Sequence, residues 1–310
     1  MHDMQKSSPY HPVIELVFLV IMAFLGAIVF SFLGVIAWFI IDREASLALL
    51  VNNNMSSMNL NFMKILQIFS STGAFIAGPI AFSYFNQTQP KSYFYFDQPL
   101  RWSLIVFVLC LMLFSNPLFD LINTLNQKMS LPSFLKELEV WMKEKEIQAA
   151  EVTRQFLTMK TYGDLMLNLF MIAVIPAIGE ELFFRGGVQN IFKDWFKNHH
   201  VAIWMTAILF SAIHLQFYGF FPRMLLGALF GYLLVYGKSI WLPILGHFLN
   251  NGTAVIMAFM LQKEGKSIDE LDQPSNYPYY SYAVSSIITL VLLIMFFRQA
   301  KKEKSIVRYE

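Results

Sequence analysis

From Leu16 to Ile41 the chain reads "LVFLVIMAFLGAIVFSFLGVIAWFII", 26 residues without a charge. A helix needs about 20 apolar residues to cross the hydrocarbon of a bilayer, so this run is long enough to span one. It is also far longer than the apolar stretch of a signal peptide, which makes it a retained first helix. The rest of the composition agrees: 56% of the 310 residues are hydrophobic and 14% are charged. A soluble domain carries about 25% charged residues. The expectation is an integral membrane protein. A net charge of +2 gives no reason to expect nucleic-acid binding. The single cysteine, Cys110, excludes a disulfide framework and a cysteine-based metal site.

Eight apolar runs are long enough to draw as spans, at about 13–41, 62–86, 102–124, 164–192, 199–218, 223–237, 240–262 and 279–298. The expected fold is all-α: one integral membrane domain over 1–310, a polytopic bundle of about eight transmembrane helices with one amphipathic interfacial helix. Pro79, Pro117 and Pro176 fall inside spans, where neighbouring helices can satisfy the backbone groups a proline frees. "YFYF" (Tyr93–Phe96) and "YPYY" (Tyr277–Tyr280) are expected at the membrane interfaces. The chain shows no internal repeat, which removes support for a duplicated transporter architecture.

Residues 131–157 break the apolar pattern. Phe134, Leu138, Trp141, Met142, Ala149, Val152 and Phe156 recur at spacings of three, four or seven, as on an amphipathic helix. Two readings fit, a lid or substrate-gripping helix and an interfacial spacer between spans three and four; the spacer is the default. Lysines and arginines in the short loops set the orientation. Lys6, Lys91, Arg101, Lys193, Lys197, Lys238 and the C-terminal cluster Arg298–Arg308 gather on one side. Arg43, Arg223, Lys263 and Lys266 lie on the other, where the 125–160 segment adds six more cations beside a similar number of acids. Both termini are therefore expected in the cytoplasm, in a multi-pass protein of the cell inner membrane.

An ionisable group inside a span is costly, and marks a functional position by default. Within the spans these are Glu180, Glu181, Arg185, His214 and His247, with Asp120, Asn116, Asn250 and Asn251 as further polar candidates. Glu181 and Arg185 stand at i and i+4 and can pair on one helix face. Glu180 is turned about 100° away. One carboxylate is thereby neutralised and the other is available, although a structural ion cluster explains these three residues equally well. The turn between spans four and five is expected near Lys197 and Asn198. Glu180 precedes Lys197 by 17 residues and His214 follows it by 17, which puts the two at equal depth in an antiparallel hairpin. His247 follows Lys238 by only 9 residues and looks shallower, unless that turn sits deeper or a helix is broken. His247 and Asn251 share one face. His199 and His200 fall in a turn, and His2 and His11 in the N-terminal tail, all away from the constellation.

These residues resemble a known family. "EELFFR" (Glu180–Arg185), followed by "GGVQ", fits E-E-x-x-x-R; "FSAIH" (Phe210–His214) fits F-x-x-x-H; and "HFLNN" (His247–Asn251) carries H-x-x-x-N. In order and spacing they are similar to the three motifs of the CPBP (Abi) family, which unites type II CAAX prenyl endopeptidases with bacteriocin-processing and self-immunity proteins. The likeness covers about residues 160–255, with Gly187 a small departure, and does not extend to 131–157 or the N-terminal spans. It implies an intramembrane endopeptidase acting on a membrane-associated protein or peptide. Glu180 would activate a water with help from His214, Glu181 and Arg185 would organise the site, and His247 with Asn251 would stabilise the oxyanion.

Glu180, His214 and His247 are also the residues of a conceivable His₂Glu zinc site with an open position for water. No H-E-x-x-H is present, and the favoured mechanism is metal-free, with Zn2+ as the alternative. Two rival functions remain: a proton- or ion-coupled transporter, and a non-catalytic membrane scaffold of protease ancestry.

Overall fold

The computed structural model describes residues 10–44, 60–86, 88–273 and 277–306. His2, Lys6 and Arg308 lie outside them. The described chain is helical and contains no strand. We number its long helices α1 Pro12–Ile41, α2 Leu60–Phe85, α3 Trp102–Phe114, α4 Asn116–Gln127, α5 Lys136–Leu157, α6 Tyr162–Phe196, α7 His199–Ala212, α8 Phe220–Gly237, α9 Trp241–Lys263 and α10 Tyr279–Ile306.

Six of these are long and apolar enough to cross a membrane, and α3 with α4, bent by 46°, makes a seventh if the pair is counted as one span. The bend falls at Pro117, which has no N–H to donate and whose ring presses on the preceding turn. The remaining expected span, 199–218, ends early. Its helix α7 has 14 residues, about 21 Å at 1.5 Å per residue and short of the hydrocarbon thickness. It stops in a turn where Leu215 takes a left-handed conformation at φ 53°. That conformation is uncommon for a leucine. The chain then re-enters as a single 3₁₀ turn, Phe217–Gly219, leading into α8.

Packing sorts the helices into centre and rim. The apolar window of α6 is 50% buried, against 11% for α1 and 17% for α10. Phe24, Phe32 and Ile40 on α1 and Ile287 and Leu290 on α10 are exposed. Exposed apolar faces of this extent fit a surround of lipid. The protein is an integral membrane protein with α6 at its axis. α1 crosses α2 where Gly26 meets Gly73, backbone to backbone, with no room for a Cβ on either. The two aromatic clusters separate. Tyr279 and Tyr280 are exposed, whereas Tyr93 and Phe94 are buried, the latter against Gly186 of α6. "YFYF" therefore belongs to the core, because α6 offers it a glycine surface to fill.

Both expected turns form. Lys197 and Lys238 each adopt the left-handed conformation that ends a helix, and Asn198 caps α7 by accepting from the N–H groups of His200 and Val201. At the other end of α8, Asn126 of α4 accepts from the Phe221 N–H at 2.9 Å and donates to the Phe217 carbonyl at 3.0 Å. The first turn of α8 is thus fixed by a side chain from another helix.

The expected amphipathic segment forms a 3₁₀ turn, Ser133–Leu135, and α5. Its two halves differ. Phe134, Leu138 and Trp141 remain exposed, and Lys145, Gln148, Ala149, Val152, Thr153 and Phe156 line an open cavity, with Val152 itself 43% exposed. Glu146 holds α5 in place by accepting from the Tyr218 N–H at 3.1 Å, and Glu139 accepts from the Tyr218 hydroxyl. Lys143, hydrogen-bonded to Glu139, keeps that carboxyl below the usual carboxylate range, so this anchor is charged at neutral pH. Gln262 of α9 bonds the Met159 N–H and the Leu157 carbonyl just beyond the end of α5.

α6 is not a uniform α-helix. Two stretches, Leu169–Val174 and Glu181–Val188, widen to π-helical turns, a feature common at functional sites. Between them stands Pro176, which cannot donate to the carbonyl of Ile172 four residues before it. Asn251 of α9 supplies the missing donor: its Nδ2 lies 3.0 Å from the Ile172 oxygen. Replacing Asn251 by Ala should leave that carbonyl unpaired, at a cost of about 1–3 kcal/mol. In a Pro176→Ala background, where the backbone has its own N–H, the same substitution should cost about 1 kcal/mol less. Thermal unfolding of the four proteins in detergent checks this; equal losses in both backgrounds would contradict the repair.

Candidate active site

At the centre lies Arg185, whose side chain has no exposure to solvent. Its Nη1 donates to Glu181 Oε1 at 2.9 Å and its Nη2 to the Gly227 carbonyl of α8 at 3.1 Å. A Cβ on Gly227 would lie 3.3 Å from that Nη2, so the close approach depends on glycine. The guanidinium also lies over the Phe210 ring, 4.6 Å from its centroid, and 5.6 Å from that of Phe230. Aromatic faces attract a desolvated cation. The pairing expected from the i, i+4 spacing is present.

Glu181 is equally buried, and its Oε1 accepts a second bond, from His247 Nδ1 at 2.8 Å. Nothing in the H-x-x-x-N motif announces this partner, because the acid comes from α6. The bond also answers the expected depth mismatch: α9 is unbroken from Trp241 to Lys263, and His247 nevertheless reaches the glutamates. An ionised carboxylate only accepts, so Nδ1 carries a proton. The other nitrogen, Nε2, is 3.8 Å from Glu180 Oε2. Phe230 stacks on the imidazole at 5.6 Å.

Glu180 differs from its neighbour. It keeps a side-chain exposure of 19% and forms part of the wall of a cavity of about 880 Å³. His214, His247, Asn250 and Asn251 share that wall, as do α5 and the first turn of α8. His214 sits just beyond the end of α7. Its Nδ1 is 2.7 Å from the Phe210 carbonyl, which only accepts, so Nδ1–H is fixed and a neutral ring keeps a lone pair on Nε2. Asn251 uses Nδ2 on Ile172 and receives Asn250 Nδ2 on its Oδ1 at 3.1 Å. Two bonds thus hold the Asn251 amide, and one of its hydrogens stays unassigned.

All six residues selected from sequence therefore converge on one place. Glu181 and Arg185 lie behind the wall; Glu180, His214, His247 and Asn251 form it. His200, by contrast, bonds Tyr232 and His11 caps α1, both away from the cavity. For zinc, the fit is poor. Among the described residues no three His, Cys, Asp or Glu side chains gather as a metal site.

Sequence reasoning missed three contributors. Phe210 touches Arg185, His214 and His247, and its place in the F-x-x-x-H motif was the available signal. Phe230 carried none. Arg223, placed by its sequence in a loop, instead lies in the first turn of α8 and lines the cavity. The loop assignment failed because α8 begins three residues before the expected 223.

No curated protein and no solved structure matches the chain. The family model described as type II CAAX prenyl endopeptidase Rce1-like matches residues 162–253, which is 92 of the 310 residues. The matched segment, which holds all six of these residues, is similar to the type II CAAX prenyl endopeptidases.

Proposed function

We propose that the protein is an intramembrane endopeptidase that cleaves a membrane-associated protein or peptide, as in CAAX-type or bacteriocin-type processing, with a glutamate-activated water. The carrying observation is the different engagement of two adjacent glutamates: Glu181 is bound to Arg185 and His247 in the interior, while Glu180 faces a cavity beside His214. Family relation over 162–253 supports the reaction class.

In this reading water sits between the Glu180 carboxylate and His214 Nε2, and Glu180 takes its proton as oxygen attacks the peptide carbon. The developing oxyanion accepts hydrogen bonds from His247 Nε2–H and from the second amide hydrogen of Asn251. Because His247 Nδ1 is already protonated toward Glu181, donation from Nε2 requires the doubly protonated ring. Glu180 then returns the proton to the leaving amine as the C–N bond breaks. α5 closes one side of the cavity and serves as a substrate-gripping wall.

Glu180→Ala should abolish cleavage of an internally quenched farnesylated peptide with little change in unfolding midpoint. Full turnover by a verified Glu180→Ala sample would remove the proposal. A transporter would show solute flux and no cleavage product, and a scaffold would show neither, so the same preparation separates the three functions.

The metal-free mechanism has its own check. Elemental analysis of chelator-washed protein should find well below one zinc per chain with turnover retained. Stoichiometric zinc, lost together with turnover in His214→Ala and His247→Ala, would replace this mechanism.

A further inference from the structure

A second polar pocket lies away from the catalytic cavity, where α6 ends, α7 begins and α8 ends. It has a volume of about 240 Å³ and is lined by Lys193 of α6, His199 and Ala202 of α7, Leu234 and Val235 of α8, and Lys238 just beyond α8. Gln189 and Asn190 also line it and are only 3% and 7% exposed, so its buried part is polar. Tyr95 joins them from a left-handed backbone, φ 58°, which a bulky residue seldom adopts and which persists only where the surroundings hold it. Two cations thus meet in a pocket whose lining contains no acid.

Lys193 is half-buried and, among the described residues, forms no ion pair and no hydrogen bond. A cation near the carbonyl end of a helix is favourable, and both lysines hold such positions, which accounts for each one alone. It does not account for their meeting around one space, where like charges repel and an anion would offset the repulsion. The volume is below the roughly 300–1,000 Å³ of pockets that enclose a drug-sized ligand, so it suits a small anionic group. Helix α7 points to the source of that group. It turns Val201, Trp204, Met205 and Ile208 outward, each 39–42% exposed, so an acyl chain can lie along it while the headgroup enters beside His199 and Ala202. Basic pockets between spanning helices are recurrent places for anionic headgroups.

We propose that this pocket binds the phosphate of an anionic phospholipid headgroup, with Lys193 and Lys238 as its charged donors. The site stands independently of the proteolytic reading, although it is built on the same helices. Gln189 of α6 donates to the Gly231 carbonyl of α8 at 3.5 Å, as Arg185 does to that of Gly227 at 3.1 Å. Lys193 stands four residues beyond Gln189. A headgroup bridging Lys193 to Lys238 therefore ties the ends of α6 and α8, whose interiors these two bonds already join. Binding the folded protein alone, the lipid stabilises it.

The test is calorimetric binding of short-chain dihexanoyl phosphatidylglycerol to detergent-purified full-length protein, beside dihexanoyl phosphatidylcholine. Phosphatidylglycerol should bind about tenfold more tightly, the worth of one charge-assisted hydrogen bond, and should raise the unfolding midpoint. Lys193→Gln combined with Lys238→Gln should remove the preference. Val235→Phe, which fills the pocket and keeps both lysines, should weaken phosphatidylglycerol binding. Lys197→Gln, which removes an exposed cation outside the lining, should leave the preference intact. Equal binding of the two lipids, binding of neither, a preference that survives the double substitution, or an equal loss in Lys197→Gln would overturn the assignment. Lysines that only complemented helix ends would lower the unfolding midpoint of lipid-free protein when replaced and leave the preference, which also overturns it. Glycerol phosphate and inorganic phosphate are titrated in parallel. If either binds as tightly as phosphatidylglycerol and competes with it, the pocket takes a soluble phosphate and the lipid assignment falls.

Discussion

Everything at the site hangs on a buried ion pair with a third member. Arg185, Glu181 and His247 come from two helices and share one carboxylate oxygen, at 2.9 and 2.8 Å. Two charges inside a bilayer are costly, and removing one partner of such a pair leaves the other uncompensated, typically worth about 3–5 kcal/mol. The Phe210 and Phe230 faces and the Gly227 carbonyl meet the remaining needs of the cation. With the interior charge settled in this way, Glu180 keeps a carboxylate at the cavity wall. Position relative to one arginine, and not any difference in residue type, separates the surroundings of two adjacent glutamates.

The helices around this centre are shaped by interruptions. α6 has two widened turns and a proline, α7 stops short, and α8 starts from a 3₁₀ turn capped by another helix. Each interruption exposes a backbone or side-chain group at membrane depth, which hydrocarbon tolerates only beside protein or a polar cavity. The clearest case is the Ile172 carbonyl, left without its usual donor by Pro176 and met by Asn251. Asn251 therefore joins α6 to α9 at the level of the site, whatever it does in the reaction. Closure of the cavity by α5 belongs to the same design, since Glu146 and Tyr218 tie it to the chain that leads into α8.

The legible part of this arrangement was the part encoded in periodicity and local spacing. The 26-residue run of α1, the turns at Lys197 and Lys238, and the i, i+4 pair Glu181–Arg185 all depend on near neighbours in sequence. What escaped depends on contacts between distant segments. Tyr93 and Phe94 look interfacial by composition, and are drawn inward because Gly186 on α6 leaves a space for a ring. Arg223 looks like a loop cation, and becomes a cavity residue because Asn126, nearly a hundred positions away, starts α8 early. The His247–Glu181 bond joins two motifs that each look complete alone. Motif order signalled a common site; only the packing of α6 against α9 shows which oxygen meets which nitrogen.

The central claim is that Glu181 supports the interior and Glu180 does the chemistry. The most direct measurement is the unfolding midpoint of Glu180→Gln and Glu181→Gln protein, each read beside its turnover in the same detergent preparation. The account predicts that Glu181→Gln melts several degrees below the wild type, because Arg185 loses its charged partner. It predicts that Glu180→Gln melts with the wild type and turns over nothing. Equal loss of stability in the two variants, or retained turnover in Glu180→Gln, would contradict it.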